Sequence, residues 1–321
     1  MRPSWIKTSV QCLLVILLFL GITRYFLLHK DEFRLLAHVN KRYIGDIAIL
    51  TVLINLITAY KYFFVYRLYG LKCSFNDWLK IFMIGNFLNL HFTQGANLYR
   101  TAELKRKHGF TYTHSVSGLT YVTYLEIILN FAIPGIFVLI FLPDITAGHQ
   151  VFILYYFLFV ATIALSPFMM WPLIKGIKWK GRVLQTISLK LHQIFSSLMT
   201  HIKNIKVGML FTVLTLLTFG LNCLSIHLGF FSMNKPISVA TAIAFTGVLL
   251  TSRLVYILPG NLRITEVLCG YLSKLFMGIA GVGILVSAML RLIVYVTNLI
   301  IVMGYGLIKI VKKDARATSL Q

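Results

Sequence analysis

Acidic side chains are scarce: nine Asp and Glu stand against 31 Lys and Arg, for a net charge of +22 over 321 residues. Charged residues of both signs make up only 12% of the chain, about half of the roughly 25% usual in soluble domains. So little charge cannot cover a water-facing body of this size, which excludes an ordinary globular enzyme and a disordered chain. Cysteine is equally sparse. Cys12, Cys73, Cys223 and Cys269 are scattered without CxxC spacing, so neither a metal site nor a disulfide framework is indicated. No GxxxxGK followed by Ser or Thr occurs, which removes the usual nucleotide-binding loop, and neither DxD nor HExxH is found. What abounds is apolar residues, at 58%. The bases lie between long apolar runs, so their partner is the anionic membrane surface and not nucleic acid. The chain reads as an all-α polytopic membrane protein.

A spanning helix needs about 20 predominantly apolar residues. Candidate runs lie at 10–28, 44–66, 78–98, 118–142, 151–174, 207–231, 237–258, 267–280 and 283–310. The first follows Arg2 and Lys7 and has no small-residue cleavage site after it, so it reads as an uncleaved span. Loop charge orients the rest. Segment 175–206 holds seven Lys and Arg and no acid, residues 100–108 hold four bases, and the end of the chain holds Lys309, Lys312, Lys313 and Arg316. These face the cytoplasm. Residues 143–150 hold Asp144 and no base, and face out. The loop at 30–42 carries four bases yet must face out if the N-terminus is inside. The signs agree if 78–98 and 237–280 are re-entrant hairpins entering from opposite sides. Six full spans then remain; about eight crossings, with both hairpin regions partly spanning, also keep both termini cytoplasmic.

The whole chain, 1–321, forms one integral membrane domain on this reading. Repeat 1 covers about 44–142, a basic linker about 175–206, repeat 2 about 207–310, and a tail 311–321. Within the linker Leu184, Ile187, Leu191, Ile194, Leu198 and Ile202 recur every three or four residues. That is an amphipathic helix on the inner membrane face, a structural link between repeats or a lipid sensor.

Four spans carry polar residues at helical spacing: Thr51, Asn55, Thr58 and Tyr62; Thr120, Thr123, Glu126 and Asn130; Thr215, Thr218, Asn222 and Ser225; and Ser287, Arg291, Tyr295, Asn298 and Tyr305. Such faces avoid lipid. Each serves as helix–helix glue or as the wall of a wet interior, and four together favour a polar interior. Glu126 and Arg291 lie well inside apolar runs, where a central charge costs about 2.5–3.5 kcal/mol on insertion scales. They form a structural pair across the bundle, or they face a zwitterionic or anionic head group. Lys61, near a span end, is expected to snorkel to the interface. The halves are also alike. Gly95, Asn55 and Glu126 are matched by Gly260, Asn222 and Arg291 at offsets of 165, 167 and 165 residues, an inverted-repeat arrangement of the kind transporters use.

The string Leu-Pro-Gly-Asn-Leu-Arg-Ile-Thr-Glu at 258–266 resembles the Pro-Gly-Gly-Leu-Gly-Val-x-Glu element of the transmembrane region of lysylphosphatidylglycerol synthases and their stand-alone, flippase-like relatives. Pro259, Gly260, Leu262 and Glu266 match; Asn261 and Arg263 replace glycines. Arg291 with Tyr295 resembles the family's Tyr-Arg-x-x-x-Tyr-like stretch. Gly85, Asn86, Asn89, Gly95 and Arg100 resemble its Asn-rich run, without the usual proline. Glu126 resembles the Glu of a Glu-Arg-x-x-Asp element, with Ile127 and Asn130 in place of its partners.

The resemblance covers roughly residues 10–310. It implies about eight helices with re-entrant segments in a bacterial inner membrane. It also implies lipid or lipid-linked-glycan translocation in envelope biogenesis, a phospholipid or glycan-carrier partner, and a possible separate transferase or other envelope-synthesis protein. No cofactor is implied. The family's aminoacyl transferase activity resides in a soluble C-terminal domain, and no such domain follows the last span here, so an enzyme is the less favoured reading. A membrane-embedded transferase acting on a polyprenyl or phospholipid substrate, or an accessory protein, is the alternative. The candidate translocation residues are Asn86, Asn89, Gly95, Arg100, Glu126, Asn222, Pro259, Gly260, Glu266, Arg291 and Tyr295, with no catalytic or metal-binding residue among them.

Overall fold

Ten helices and no strand are found among the described residues of the computed structural model, which are 39–91, 94–141, 150–176, 182–202, 204–252 and 264–318. In chain order they are α1 (Lys41–Leu68), α2 (Phe75–His91), α3 (Gly95–His108), α4 (Tyr112–Phe141), α5 (Gln150–Gly176), α6 (Arg182–Ile202), α7 (Ile205–Ser232), α8 (Val239–Ser252), α9 (Ile264–Met277) and α10 (Ala280–Thr318). The expected first span at 10–28, Pro259, Gly260 and the loop at 143–149 lie outside the described residues.

Four helices are long and apolar enough to cross a membrane: α1, α4, α7 and α10. The chain is a membrane protein. Apolar side chains fill its interior and also face outward, while the polar stripes face inward. On α10, Leu292 and Ile300 are 62% and 63% exposed while Ser287 and Asn298 are 4% exposed. In lipid an apolar side chain has nothing to gain from the interior, whereas a polar one must find partners there. The sequence pattern therefore points the polar stripe inward.

The other helices of the two hairpin regions are short. α8 and α9 have 14 residues each and α2 has 17, so at about 1.5 Å per residue they reach roughly 21–26 Å. That falls short of the ~30 Å hydrocarbon core. Two of the boundaries fall at a capping residue or a turn. α2 starts at a Ser74–Asp77 capping exchange, with the Ser74 hydroxyl donating to Asp77 at 2.8 Å and accepting from the Asp77 backbone N–H at 3.1 Å. α3 stops at Gly109, whose φ of 65° suits glycine. The left-handed residue before α3 is Gln94, at φ 64°, and not Gly95.

α1 and α7 pack along each other in antiparallel fashion. The Asn40 backbone N–H, at the start of α1, donates to the Ser232 carbonyl at the end of α7 at 3.0 Å. Further along, the Lys61 ammonium lies 3.5 Å from the Thr215 hydroxyl. Two apolar clusters sit toward opposite ends of this pair. One gathers Ile47, Phe230, Phe245, Val282 and Val286; the other gathers Tyr66, Trp78, Phe82, Leu104 and Phe211. Trp78 is fully buried, and its indole N–H donates to the Ala59 carbonyl at 2.7 Å, pinning α2 to α1. α2 also packs on α10, and α8 packs on α4.

The amphipathic linker is α6. Part of its length packs on protein: Leu198 is buried, α6 packs on α4 and α5, and the Tyr121 hydroxyl donates to the His201 carbonyl at 3.4 Å. At the basic end of α3, Glu103 pairs with Arg106 at 2.8 Å and with Lys107. The Arg106 guanidinium lowers the Glu103 carboxyl from 4.5 to about 2; burial opposes this and Lys107 adds to it.

Candidate functional site

Between the two apolar clusters the polar stripes of α1, α4, α7 and α10 face one another across a cavity of about 380 Å³, within the roughly 300–1,000 Å³ range of small-molecule sites. Six asparagines line it: Asn55, Asn86, Asn89, Asn130, Asn222 and Asn298. So do Lys61, Glu126 and Arg291. A second hollow of about 120 Å³ adjoins the first and shares Thr58, Tyr62, Asn86, Asn89 and Glu126 with it. Arg100, Thr123 and Asn97 also line the smaller hollow. The four long helices supply most of the lining, and the short α2 brings Asn86 and Asn89 to it from the side.

The charges are organised in two pairs. Glu126 on α4 meets the Lys61 ammonium on α1 at 2.9 Å and accepts from the Tyr62 hydroxyl at 2.9 Å. Arg291 on α10 meets Glu266 on α9 at 2.9 Å. Thus Glu126 and Arg291, which the sequence left as possible partners of each other, each take a nearer partner. Lys61 does not snorkel: it is 4% exposed and also lies 4.7 Å from the Phe211 ring centre. Its position follows from register. Lys61 comes three residues after Thr58 on the polar face of α1, so the helix carries it inward where Glu126 waits.

Arg100 is 4% exposed. Its guanidinium donates to the Asn86 side chain and, at 3.4 Å, to the Phe82 carbonyl. It also lies over the Phe82 ring at 4.2 Å, a cation–π contact strengthened by desolvation. The crossing needs Gly85. A β-carbon there would stand 2.9 Å from Arg100 Nε and 3.2 Å from its Cγ. Gly85→Leu is therefore expected to displace Arg100 from the smaller hollow and to lower activity as far as Arg100→Gln does. Parallel assays of the two variants and of their combination check this, with the double variant no worse than either single one.

The asparagines form a chain along one wall. The Asn55 amide donates to Asn298 at 2.9 Å, and Asn86 donates to Asn55 at 3.4 Å. Asn222 donates to the Thr218 carbonyl at 2.6 Å, which orients its oxygen. Pro134 lies inside α4 and supplies no backbone donor to the Asn130 carbonyl.

Of the sequence candidates, Asn86, Asn89, Glu126, Asn222 and Arg291 line the larger cavity, and Arg100 lines the smaller one. Gly95 opens α3, whose Ala96 and Asn97 contribute to the smaller wall. Glu266 stands behind Arg291. Tyr295 is on the seam of α2 and α10 instead, where its hydroxyl lies 3.3 Å from His91 Nε2. Lys61, Asn55, Asn130 and Asn298 also line the cavity without having been among the candidates. The last three sat in the polar stripes, so periodicity alone could have found them. No family model, curated protein or solved structure matches the chain.

Proposed function

We propose that this membrane protein moves a polar-headed lipid, a phospholipid or a lipid-linked glycan, from one leaflet to the other. The head group crosses through the asparagine-lined cavity while the acyl chains stay in the bilayer. The observation that carries this reading is a hollow of about 380 Å³ lined by six asparagines and three charged side chains, set among helices whose outer faces are apolar. Polar stripes that only glued helices together would close against one another. Here they close in part, through Asn55, Asn86 and Asn298 and through Lys61, Tyr62 and Glu126, yet a hollow remains between them.

The proposed topology has six crossings, formed by the run at 10–28, α1, α4, α5, α7 and α10. The hairpins α2–α3 and α8–α9 enter from opposite sides, and both termini are cytoplasmic. Three features support an inverted repeat. α1 and α7, the equivalent helices, run antiparallel. Each hairpin packs on the last long helix of the other half, α2 on α10 and α8 on α4. The arms of each hairpin are also tied at matching positions: Arg100 to Asn86 in the first, and Thr265 to Ser252 at 3.0 Å in the second. The resemblance to flippase-like relatives of lysylphosphatidylglycerol synthases points to the same activity, in a bacterial inner membrane and in envelope biogenesis.

The test is translocation of a fluorescent lipid in vesicles of phosphatidylethanolamine and phosphatidylglycerol containing the purified chain. The parent is expected to exceed protein-free vesicles. Asn130→Leu with Asn222→Leu, which fills the cavity with apolar bulk, is expected to slow it about tenfold, equivalent to about 1.4 kcal/mol on the barrier. A parent no faster than empty vesicles, or a filled variant as fast as the parent, overturns the reading.

A further inference from the structure

We infer that Arg100 is a positioning residue: through a chain of three asparagines it sets which polar group Asn298 turns to the larger cavity, an amide N–H or a carbonyl oxygen. Such a switch couples the two hollows whatever they hold, so it stands apart from the translocation reading.

The chain crosses the bundle from α3 to α10. The Arg100 guanidinium donates to Asn86 Oδ1, Asn86 Nδ2 donates to Asn55 Oδ1 at 3.4 Å, and Asn55 Nδ2 donates to Asn298 Oδ1 at 2.9 Å. Its first member lines the smaller hollow and its last the larger one. All three bonds run in one direction, and chemistry fixes which. A guanidinium has donors and no acceptor, so Asn86 must show it oxygen. The Asn86 nitrogen then faces Asn55, which must show oxygen in turn, and the same holds for Asn298. Turning over any one amide alone sets donor against donor. With its oxygen taken by Asn55, Asn298 has only N–H groups left to offer the cavity that it lines.

The opposite direction keeps both amide–amide bonds and differs only at its ends. Beside Arg100 it puts the Asn86 N–H groups against the guanidinium, donor against donor. A charge-assisted bond is about twice as strong as a neutral one, and bonds in a chain polarise one another, so the seated guanidinium holds all three amides in the first direction. The same guanidinium nitrogen also donates to the Phe82 carbonyl at 3.4 Å, which gathers two acceptors, that carbonyl and Asn86 Oδ1, around one donor. Once Arg100 is drawn away, two acceptors are left side by side. Turning Asn86 over relieves them, since an amide N–H then meets the Phe82 carbonyl. Asn55 and Asn298 must turn with it, and Asn298 then donates to Asn55 and shows oxygen to the larger cavity. No helix has to move. Where Arg100 sits therefore decides whether that part of the wall suits an acceptor or a donor.

The test follows hydrogen exchange of the asparagine side-chain amides by NMR, in the full chain purified in detergent with isotope-labelled asparagine. Asn298→Ser and Asn222→Ser assign the two signals that matter. Arg100→Met is expected to slow exchange of one Asn298 amide proton about fivefold, the factor that a single hydrogen bond of typical net strength supports. Arg100→Lys keeps a donor and should stay near the parent. Asn222 lines the same cavity but donates to the Thr218 carbonyl outside the chain, and should not change. Asn86→Leu cuts the chain, so adding Arg100→Met to it should do nothing more to Asn298. Gly85→Leu moves the guanidinium off Asn86 without removing it, since a β-carbon there meets Arg100 Nε at 2.9 Å, and should slow Asn298 in the same way if Arg100→Met does not fold. Asn298 exchange unmoved by both changes overturns the switch. So does slowing that Asn222 shares, which marks general tightening of the cavity, or an Arg100 effect that survives Asn86→Leu. A chain that passes these tests and moves no lipid keeps its switch and loses the transport reading; lipid movement with Asn298 unmoved does the reverse.

Discussion

Lys61→Met is expected to be among the most damaging single substitutions in the chain, lowering stability by about 3–5 kcal/mol, the usual cost of removing one partner of a buried ion pair. Lys61 is almost wholly enclosed, and its ammonium reaches Glu126 at 2.9 Å. Without it the Glu126 carboxylate keeps the Tyr62 hydroxyl but no opposite charge at that distance. The side chain of Glu126 is 20% exposed, toward the cavity, so water there holds the loss to the lower end of the range. The informative variant is the pair, Lys61→Met with Glu126→Leu. Replacing both members of a buried ion pair by apolar groups of similar volume is often neutral or stabilising. Thermal unfolding followed by size-exclusion recovery should therefore show the double variant close to the parent and Lys61→Met well below it. Translocation should stay lost in the double variant, because Glu126 then no longer faces the head group. A double variant that is stable and fully active would reduce the pair to scaffolding.

Gly283→Val is expected to prevent the hairpin of α9 and α10 from closing. A β-carbon at Gly283 would lie 2.2 Å from the Cys269 carbonyl oxygen and 2.6 Å from Ser273 Cβ. The first of these is backbone, inside a helix whose hydrogen bonds fix it, so relief requires the two helices to separate. Overpacking ordinarily costs about 1–3 kcal/mol; this position should exceed that, because no rotamer change can relieve it. Separation would also pull Glu266 away from Arg291, whose pairing bridges the same two helices. The folded yield after membrane extraction measures the effect. Gly220→Ala is the control: it is exposed on α7 with nothing within 4 Å of its built β-carbon, and should be neutral or slightly stabilising through helix propensity. Equal yields for Gly283→Val and Gly220→Ala would mean that the α9–α10 crossing can open enough to admit a side chain at Gly283.

The four stripes illustrate how far sequence reasoning reaches in this chain. Thr51, Asn55, Thr58 and Tyr62 share a face because an α-helix repeats every 3.6 residues, and that face turns inward because hydrocarbon cannot satisfy it. Both statements need only the order of residues, and together they place most of the cavity wall. The same logic failed for Lys61. Its closeness to the end of an apolar run suggested snorkelling, while its register with Thr58 put it inside. Register prevailed because Glu126 on another helix supplies the compensating charge, and nothing local to α1 announces Glu126. The seam position of Tyr295 was equally hidden. It lies on the polar stripe of α10, yet α2 with His91 packs there in place of open space.

By itself the order of amino acids determined the all-helical membrane character and the inward faces of the long helices. These follow from periodicity and from the cost of polar groups in hydrocarbon, which act on each segment separately. Only the tertiary structure decided which charge meets which, that Arg100 crosses α2 at Gly85, and that the stripes enclose a hollow instead of closing on one another. Those outcomes depend on how helices distant in sequence lie against each other, a matter of shape and distance between surfaces that no single segment encodes.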